Sequence, residues 1–265
     1  MSTAIERFDD KARRTFSRFG HTIIHRGELL RYPVYTRFLH WMVALTFILS
    51  LLSGFAVYSP HLYHWSVPLF GGGATTRTLH PWFGLAFTFF FFFQFLNWFT
   101  PMAWTRADSN FMRRIKEYAT NAEKLEPEET GYFNGGQKVY FWSIAVCAAL
   151  FLITGILIWF DQSVSRGVVA ASVIIHDIAA LVMLGGFIIH IYQGTVAQPG
   201  TFRSMINGTV TEAWAWTHHP GWYRRVTGRN PREAYEQAVR RQTERKQVVE
   251  AWDREQDARD RTQLH

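Results

Sequence analysis

A single cysteine, Cys147, stands among the 265 residues of this sequence. That scarcity excludes an internal disulfide, a Cys-rich zinc site, a Cys-ligated iron–sulfur cluster and a CxxCH haem attachment, so any metal has to be held by other ligands. Charge is scarce as well. Only 18% of residues are Asp, Glu, Lys or Arg, against roughly 25% in soluble domains. No charged residue at all occurs from Phe38 to Thr76, from Thr78 to Thr105, from Val139 to Phe160 or from Ile178 to Phe202. The glycine run Gly71 to Gly73 lacks the GK[ST] and the strand of a phosphate loop and reads as a flexible tip. There is little of the pattern of a cleavable leader: Asp9, Asp10, Lys11, Arg13 and Arg14 precede the first apolar run, unlike a signal peptide, so the first span is expected to be an uncleaved anchor.

What is present is apolar and aromatic: 48% hydrophobic residues, with 11 tryptophans and 23 phenylalanines. A hydrocarbon core takes about 20 helical residues to cross, and four segments qualify, at 37–58, 79–100, 138–160 and 170–196. All four are expected to be helical. Open sheets cannot cross lipid, and Phe89 to Phe93 and Ile144 to Phe160 run apolar without the alternation of a barrel strand. Trp41, Trp65, Trp82, Trp98, Trp104, Trp142 and Trp159 fall near the predicted ends, where amphipathic rings favour the headgroup region. The fold class is therefore an all-α membrane protein, a four-transmembrane-helix bundle.

The net charge of +7 is a topology signal rather than a sign of nucleic acid. Lys and Arg number 8 in residues 1–37, 6 in 101–138 and 12 in 198–265, with only Arg77 and Arg166 elsewhere. By the positive-inside rule both termini and the 101–138 loop face the cytoplasm. The expected organisation is a cytoplasmic N-terminal tail at 1–36, a transmembrane domain at 37–197 with an inner loop at 101–137, and a cytoplasmic segment at 198–265. In the inner loop, Phe111, Ile115, Tyr118 and Ala122 recur at near-helical spacing and predict a short helix lying along the surface. Asn230 and Pro231 read as an N-cap and first residue of a charged helix.

Four of the 11 histidines sit within or at the ends of spans, where polar groups are costly and tend to have jobs. His176 and His190 are 14 residues apart, which returns them to within about 40° of one helix face and separates them by about 21 Å. The alternation of the spans puts His40 and His190 near the inner face and His80 and His176 near the outer face. With no cysteine or carboxylate to complete a zinc or di-iron site, two stacked imidazole pairs are the ligand set of two six-coordinate b-type haems. The competing reading is four separate histidines snorkelling to headgroups. Gly54, Gly84, Gly155, Gly185 and Gly186 would give a flat macrocycle room, or simply let helices pack. His21, His25, His61, His64 and His265 read as solvated or partner-facing, and His218 and His219 as a docking or quinone-side surface. Asp177 is expected to meet a partner at the outer interface, and Arg77 a haem propionate or the membrane interface.

FLHW (Phe38 to Trp41), LHPWFG (Leu79 to Gly84), YFNGGQK (Tyr132 to Lys138) with FWS (Phe141 to Ser143), the His176 and His190 pair, and HHPGWYR (His218 to Arg224) occur in this order. Together they resemble the cytochrome b, or gamma, subunit of respiratory membrane-bound formate dehydrogenase, over about residues 31–226. The resemblance implies a multi-pass protein of the bacterial inner membrane that binds two haem b. His80 and His176 would ligate the outer haem iron, and His40 and His190 the inner one. An iron–sulfur (beta) subunit, fed by a catalytic molybdenum or tungsten (alpha) subunit, would deliver electrons at the outer face. Menaquinone or ubiquinone would be reduced at the cytoplasmic face. Asn134 and Gly136 match the family's quinone-site asparagine and glycine, with His190 beside them, while Gly135 stands where an alanine is familiar. Such a chain takes part in a formate:quinone oxidoreductase without oxidising formate itself.

Asn also suits a quinone carbonyl as an amide donor, and Gly lets the backbone come close; residues 134–136 equally read as a plain turn before a helix. Competing functions are the cytochrome b of a nickel–iron hydrogenase or other periplasmic oxidoreductase and, in a different class, a histidine-based membrane metal transporter or haem-free anchor.

Overall fold

A computed structural model describes residues 27–58, 60–120 and 129–263. The expectations for His21, His25, Ala122, His265 and most of the N-terminal tail fall outside these residues. Four helices are long and apolar enough to cross a membrane: α1 (Val34–Tyr58), α3 (Gly73–Trp98), α6 (Gly135–Trp159) and α7 (Arg166–Tyr192), the last extended by a π-helical turn over Gln193–Ala197. Their outward faces are apolar too; Phe89, Leu96, Ile174 and Ile188 are exposed, and Ile189 is 61% exposed. A continuous greasy surface of this extent would aggregate in water and is suited to lipid.

The chain makes two helical hairpins, α1 with α3 and α6 with α7, joined along the α3–α6 contact. Between them Phe47, Phe87, Phe91, Cys147, Ala148, Ala179 and Met183 form the mid-bundle core. The predicted spans hold, but all four helices start earlier than expected. α3 begins at Gly73, so the glycine run is the helix start and not a mobile tip; Gly71 and Gly72 make the turn at positive φ. Hydropathy marks only the lipid-facing part of a helix, whereas backbone hydrogen bonds such as Thr76 N–H to Gly72 O carry it further. The connection between α1 and α3 is itself ordered, as α2 (Pro60–Ser66) and a 3-10 turn over Val67–Phe70.

A folded cap covers the basic end of the bundle. Strand β1 (Glu28–Leu30) pairs antiparallel with β2 (Thr209–Thr211), Leu29 opposite Val210. This short ribbon departs from the all-helical expectation, and it lies outside the spans. α4 (Arg106–Arg113), α5 (Ile115–Thr120), α8 (Thr201–Ile206), α9 (Glu212–His218) and α10 (Pro220–Thr227) complete the cap. Leu29, Tyr32, Met102, Tyr132, Phe133, Val210, Trp214, Trp222 and Tyr223 form its core. Burying one aromatic ring removes roughly 150–250 Å² from water, several kcal/mol at about 25 cal/mol per Å². α11 (Pro231–Gln263) then runs outward as a long charged helix, started as expected by Asn230, whose Oδ1 accepts from Arg232 N–H.

The expected surface helix in the inner loop is broken at Arg114 into α4 and α5. Phe111 and Tyr118 are buried and stacked at 5.2 Å, whereas Ile115 is exposed. A buried ion pair fastens α4 to α6: Lys138 Nζ lies 2.7 Å from Asp108 Oδ2, with both side chains almost fully enclosed. The same oxygen accepts from Thr105 N–H and Oγ1–H, and Lys138 also donates to Ala103 O. Removing one partner of such a pair strands a buried charge, which costs about 3–5 kcal/mol. Lys138→Met is therefore expected to lower thermal stability strongly, and adding Asp108→Asn should recover part of the loss; equal melting temperatures for wild type and Lys138→Met would contradict this.

Candidate functional site

The structure brings the four span histidines together as two pairs. His80, near the start of α3, and His176, near the start of α7, have ring centroids 6.3 Å apart with planes at 65°. His40, near the start of α1, and His190, near the end of α7, are 6.0 Å apart at 48°. Each pair spans the two hairpins, and the 14 residues separating the two α7 histidines put the pairs about 21 Å apart along the helix.

At the end away from the cap, both imidazoles are held by hydroxyls that the motif reading passed over. Ser53 Oγ on α1 lies 2.9 Å from His80 Nδ1, and Thr154 Oγ1 on α6 lies 2.8 Å from His176 Nδ1. Ser53 already donates its proton to Leu49 O at 2.7 Å, and Thr154 donates to Leu150 O at 2.6 Å. A hydroxyl has one proton, so each oxygen accepts from the ring Nδ1–H and each Nε2 keeps its lone pair. Beside each hydroxyl is a glycine facing the same ring: a Cβ on Gly54 would come 3.3 Å from His80 Cε1, and one on Gly155 would come 3.7 Å from His176 Cε1. The Leu52-Ser53-Gly54 and Ile153-Thr154-Gly155 steps, alike on two helices, were the available sequence signal. Gly84 and Gly185 face open space. Asp177 is half-buried next to His176, and Arg77 is exposed.

At the cap end the surroundings differ. His40 Nδ1 is buried without a hydrogen-bond partner among the described residues. His190 is stacked on Tyr140 of α6 at 4.9 Å and 13°, and Gly186 gives the Tyr140 ring its space, since a Cβ there would come 3.1 Å from it. Six residues before Tyr140, Asn134 is the N-cap of α6: Oδ1 accepts from Gln137 N–H at 3.0 Å, and Gln137 Oε1 accepts from Asn134 N–H at 3.0 Å. This capping box fits the plain-turn reading of the segment without excluding a second role. Gly135 packs so closely that a Cβ would come 2.8 Å from Asp108 O, and Gly136 lies beside Asn134 Oδ1.

His218 and His219 are buried, not a docking surface. His219 Nδ1–H donates to Gly131 O at 2.8 Å, and Nε2 faces Arg31 Nη2 at 3.3 Å. Burial, then the Arg31 guanidinium and His218, hold its pKa well below the ordinary imidazole value, so it accepts from Arg31 as the neutral ring. Arg31, fully buried, also donates to Tyr132 O and lies over the Tyr132 and Trp222 rings at 4.2 and 4.5 Å. Trp222 N–H donates to Thr130 O at 3.2 Å, and only glycine fits at 221, where a Cβ would come 2.8 Å from that carbonyl. HHPGWYR thus braces the YFNGG turn from behind. Hydropathy could not place His219 inside, because its partners are almost 90 and 190 residues away in sequence.

A bundle with paired imidazoles at two depths defines a class, the membrane cytochromes of b type. The chain matches the prokaryotic cytochrome b561 family over residues 31–208 and belongs to it, and the family implies haem b. Among known proteins it is 32% identical over 204 residues to the formate dehydrogenase cytochrome b556(fdo) subunit of Escherichia coli K12, covering 76% of this chain and 94% of that one. It is 31% identical over 214 residues to the nitrate-inducible formate dehydrogenase cytochrome b556(Fdn) subunit of the same organism, with 80% and 97% covered. The formate dehydrogenase cytochrome b556 subunit of Haemophilus influenzae is 28% identical over 200 residues, with 74% and 83% covered. Four apolar helices in this family make the chain an integral membrane electron-transfer protein.

Proposed function

We propose that the chain is the dihaem cytochrome b subunit of a formate dehydrogenase complex, with His80 and His176 ligating one haem b, His40 and His190 the other, and quinone reduced at the basic end. The observation that carries this reading is the spacing of the imidazoles. Two metal–imidazole bonds of about 2 Å each, plus roughly an ångström from each ring centre to its nitrogen, separate two ring centres across one iron by about 6 Å. The observed separations are 6.3 and 6.0 Å. Among the described residues no third His, Cys, Asp or Glu joins either pair, a donor set short of the three or four side chains of a zinc site. A haem, when bound, would supply an iron that accepts and passes one electron at a time.

The basic end, crowded with Lys and Arg, lies in the cytoplasm in this reading, as do the flanking segments 1–36 and 198–265 around the domain at 37–197. An iron–sulfur subunit, in turn fed by a molybdenum or tungsten subunit, docks at the opposite face beside His80 and His176. The names of the matched relatives support that partnership. Quinone reduction consumes two electrons and two protons, so its site adjoins His190 at the basic end, where the Asn134 turn stands at the foot of α6, with Asn134 itself buried. An asparagine amide N–H is the donor type a quinone carbonyl takes, and Gly136 places no side chain in the way.

The reduced-minus-oxidised spectrum with haem quantification tests the whole reading: two haem b per chain, and co-purification with formate-oxidising subunits, are expected. A haem-free chain would overturn it, and hydrogenase subunits in their place would redirect it to the nickel–iron enzyme. Asn134→Asp keeps the capping oxygen and loses the amide donor. One hydrogen bond lost is worth about 0.5–1.5 kcal/mol, roughly threefold to tenfold, so quinone reduction should slow by that factor with both haems retained. Unchanged quinone kinetics would move the site elsewhere.

A further inference from the structure

We infer that Ser53 and Thr154 are positioning residues that set the redox potential of the His80–His176 site below that of the His40–His190 site, so that electrons run downhill toward the basic end. The inference rests on the ligand reading above and adds a direction to it. Both hydroxyls are almost fully buried and spend their own protons on carbonyls one turn back, Leu49 O and Leu150 O. Each can therefore only accept from the neighbouring Nδ1–H, at 2.9 and 2.8 Å. A ligating histidine that donates its second N–H is fixed in tautomer and ring angle and becomes a more basic ligand. A more basic ligand stabilises the ferric state, with its extra positive charge, more than the ferrous state, and the potential falls.

The other pair has different surroundings. His40 Nδ1 is buried without a partner among the described residues, and His190 has a ring, Tyr140, against its face. Charge reinforces the difference. Asp177 stands next to His176, whereas the cap end carries Arg31 and Arg37, whose guanidiniums donate to backbone carbonyls, Tyr132 O and Ile206 O. Nearby negative charge favours the ferric state and nearby positive charge the ferrous state. The hydroxyl–glycine step occurs once in each hairpin, so the two halves of the bundle hold their ligands at this end in the same way.

The test is a redox titration of the full-length protein with both haems bound, read by the haem optical bands, together with the low-spin ferric EPR signal, which reports the angle between ligand planes. His80→Ala first identifies which haem belongs to this end. Ser53→Ala and Thr154→Val should then raise the midpoint of that haem alone and alter its EPR signal, and Thr154→Ser should return both to wild type. Loss of that haem in Thr154→Val with recovery in Thr154→Ser would equally support a requirement for the hydroxyl. Unchanged midpoints in both hydroxyl variants, or the same outcome for Thr154→Ser as for Thr154→Val, would overturn the inference. If His80→Ala kept both haems, the ligand reading itself would fall, which separates the two failures.

Discussion

Purified His80→Ala or His176→Ala protein is expected to carry one haem b where the wild type carries two, and to pass no electrons from the dehydrogenase partner to quinone. Each ligand pair joins a helix of one hairpin to α7 of the other, His80 on α3 and His40 on α1. Removing one imidazole would leave that site with a single ligand, contributed by one hairpin only, and a cavity where the ring stood. The two sites lie about 21 Å apart along α7 and share no ligand, so loss at one leaves the other loaded. His40→Ala should accordingly remove only the haem at the basic end. His190→Ala should remove that haem and also abolish quinone reduction, because His190 belongs to both sites in this reading. Haem quantification and the optical spectrum of each variant provide the check, and two haems retained in His80→Ala would sink the assignment.

The spans were legible because hydrocarbon imposes a one-dimensional rule on the chain, and charge-free stretches of the right length obey it. Helix starts were less so: α3 extends six residues beyond its predicted start to Gly73, where only local hydrogen bonding marks the helix. The histidine pairing was legible from depth alone, since alternating helices put His40 level with His190 and His80 level with His176. The cap was not legible. Its β1–β2 pairing joins segments about 180 residues apart, and Arg31, alone in the sequence next to Leu30, gives no sign that Tyr132, Trp214, Trp222 and His219 will surround it. Ser53 and Thr154 were hidden for a different reason. A lone hydroxyl in a membrane helix ordinarily satisfies itself on the carbonyl one turn back, and both do so; only the structure shows the second bond, to a histidine on another helix.

Turnover of the intact complex in sealed vesicles is expected to generate a membrane potential, negative on the side of the basic end. In the proposed reading, electrons received beside His80 and His176 and delivered beside His190 would carry negative charge across most of the membrane. In a cell with a negative interior each crossing costs about 2.3 kcal/mol per 100 mV. The donor must therefore be strongly reducing, as formate is, and a lower potential at the Ser53–Thr154 end would keep the internal step downhill against that field. In the proposed reading the protons for the quinol come from the basic-end side, which should then also turn alkaline, adding to the charge separation. With formate supplied on the opposite side, a potential-sensitive dye and a pH probe report the two effects independently. Asn134→Asp should slow both in proportion, because each follows quinone turnover. Electroneutral turnover in sealed vesicles would place proton uptake on the side where formate is oxidised, and the quinone site at His190 and Asn134 would have to be abandoned.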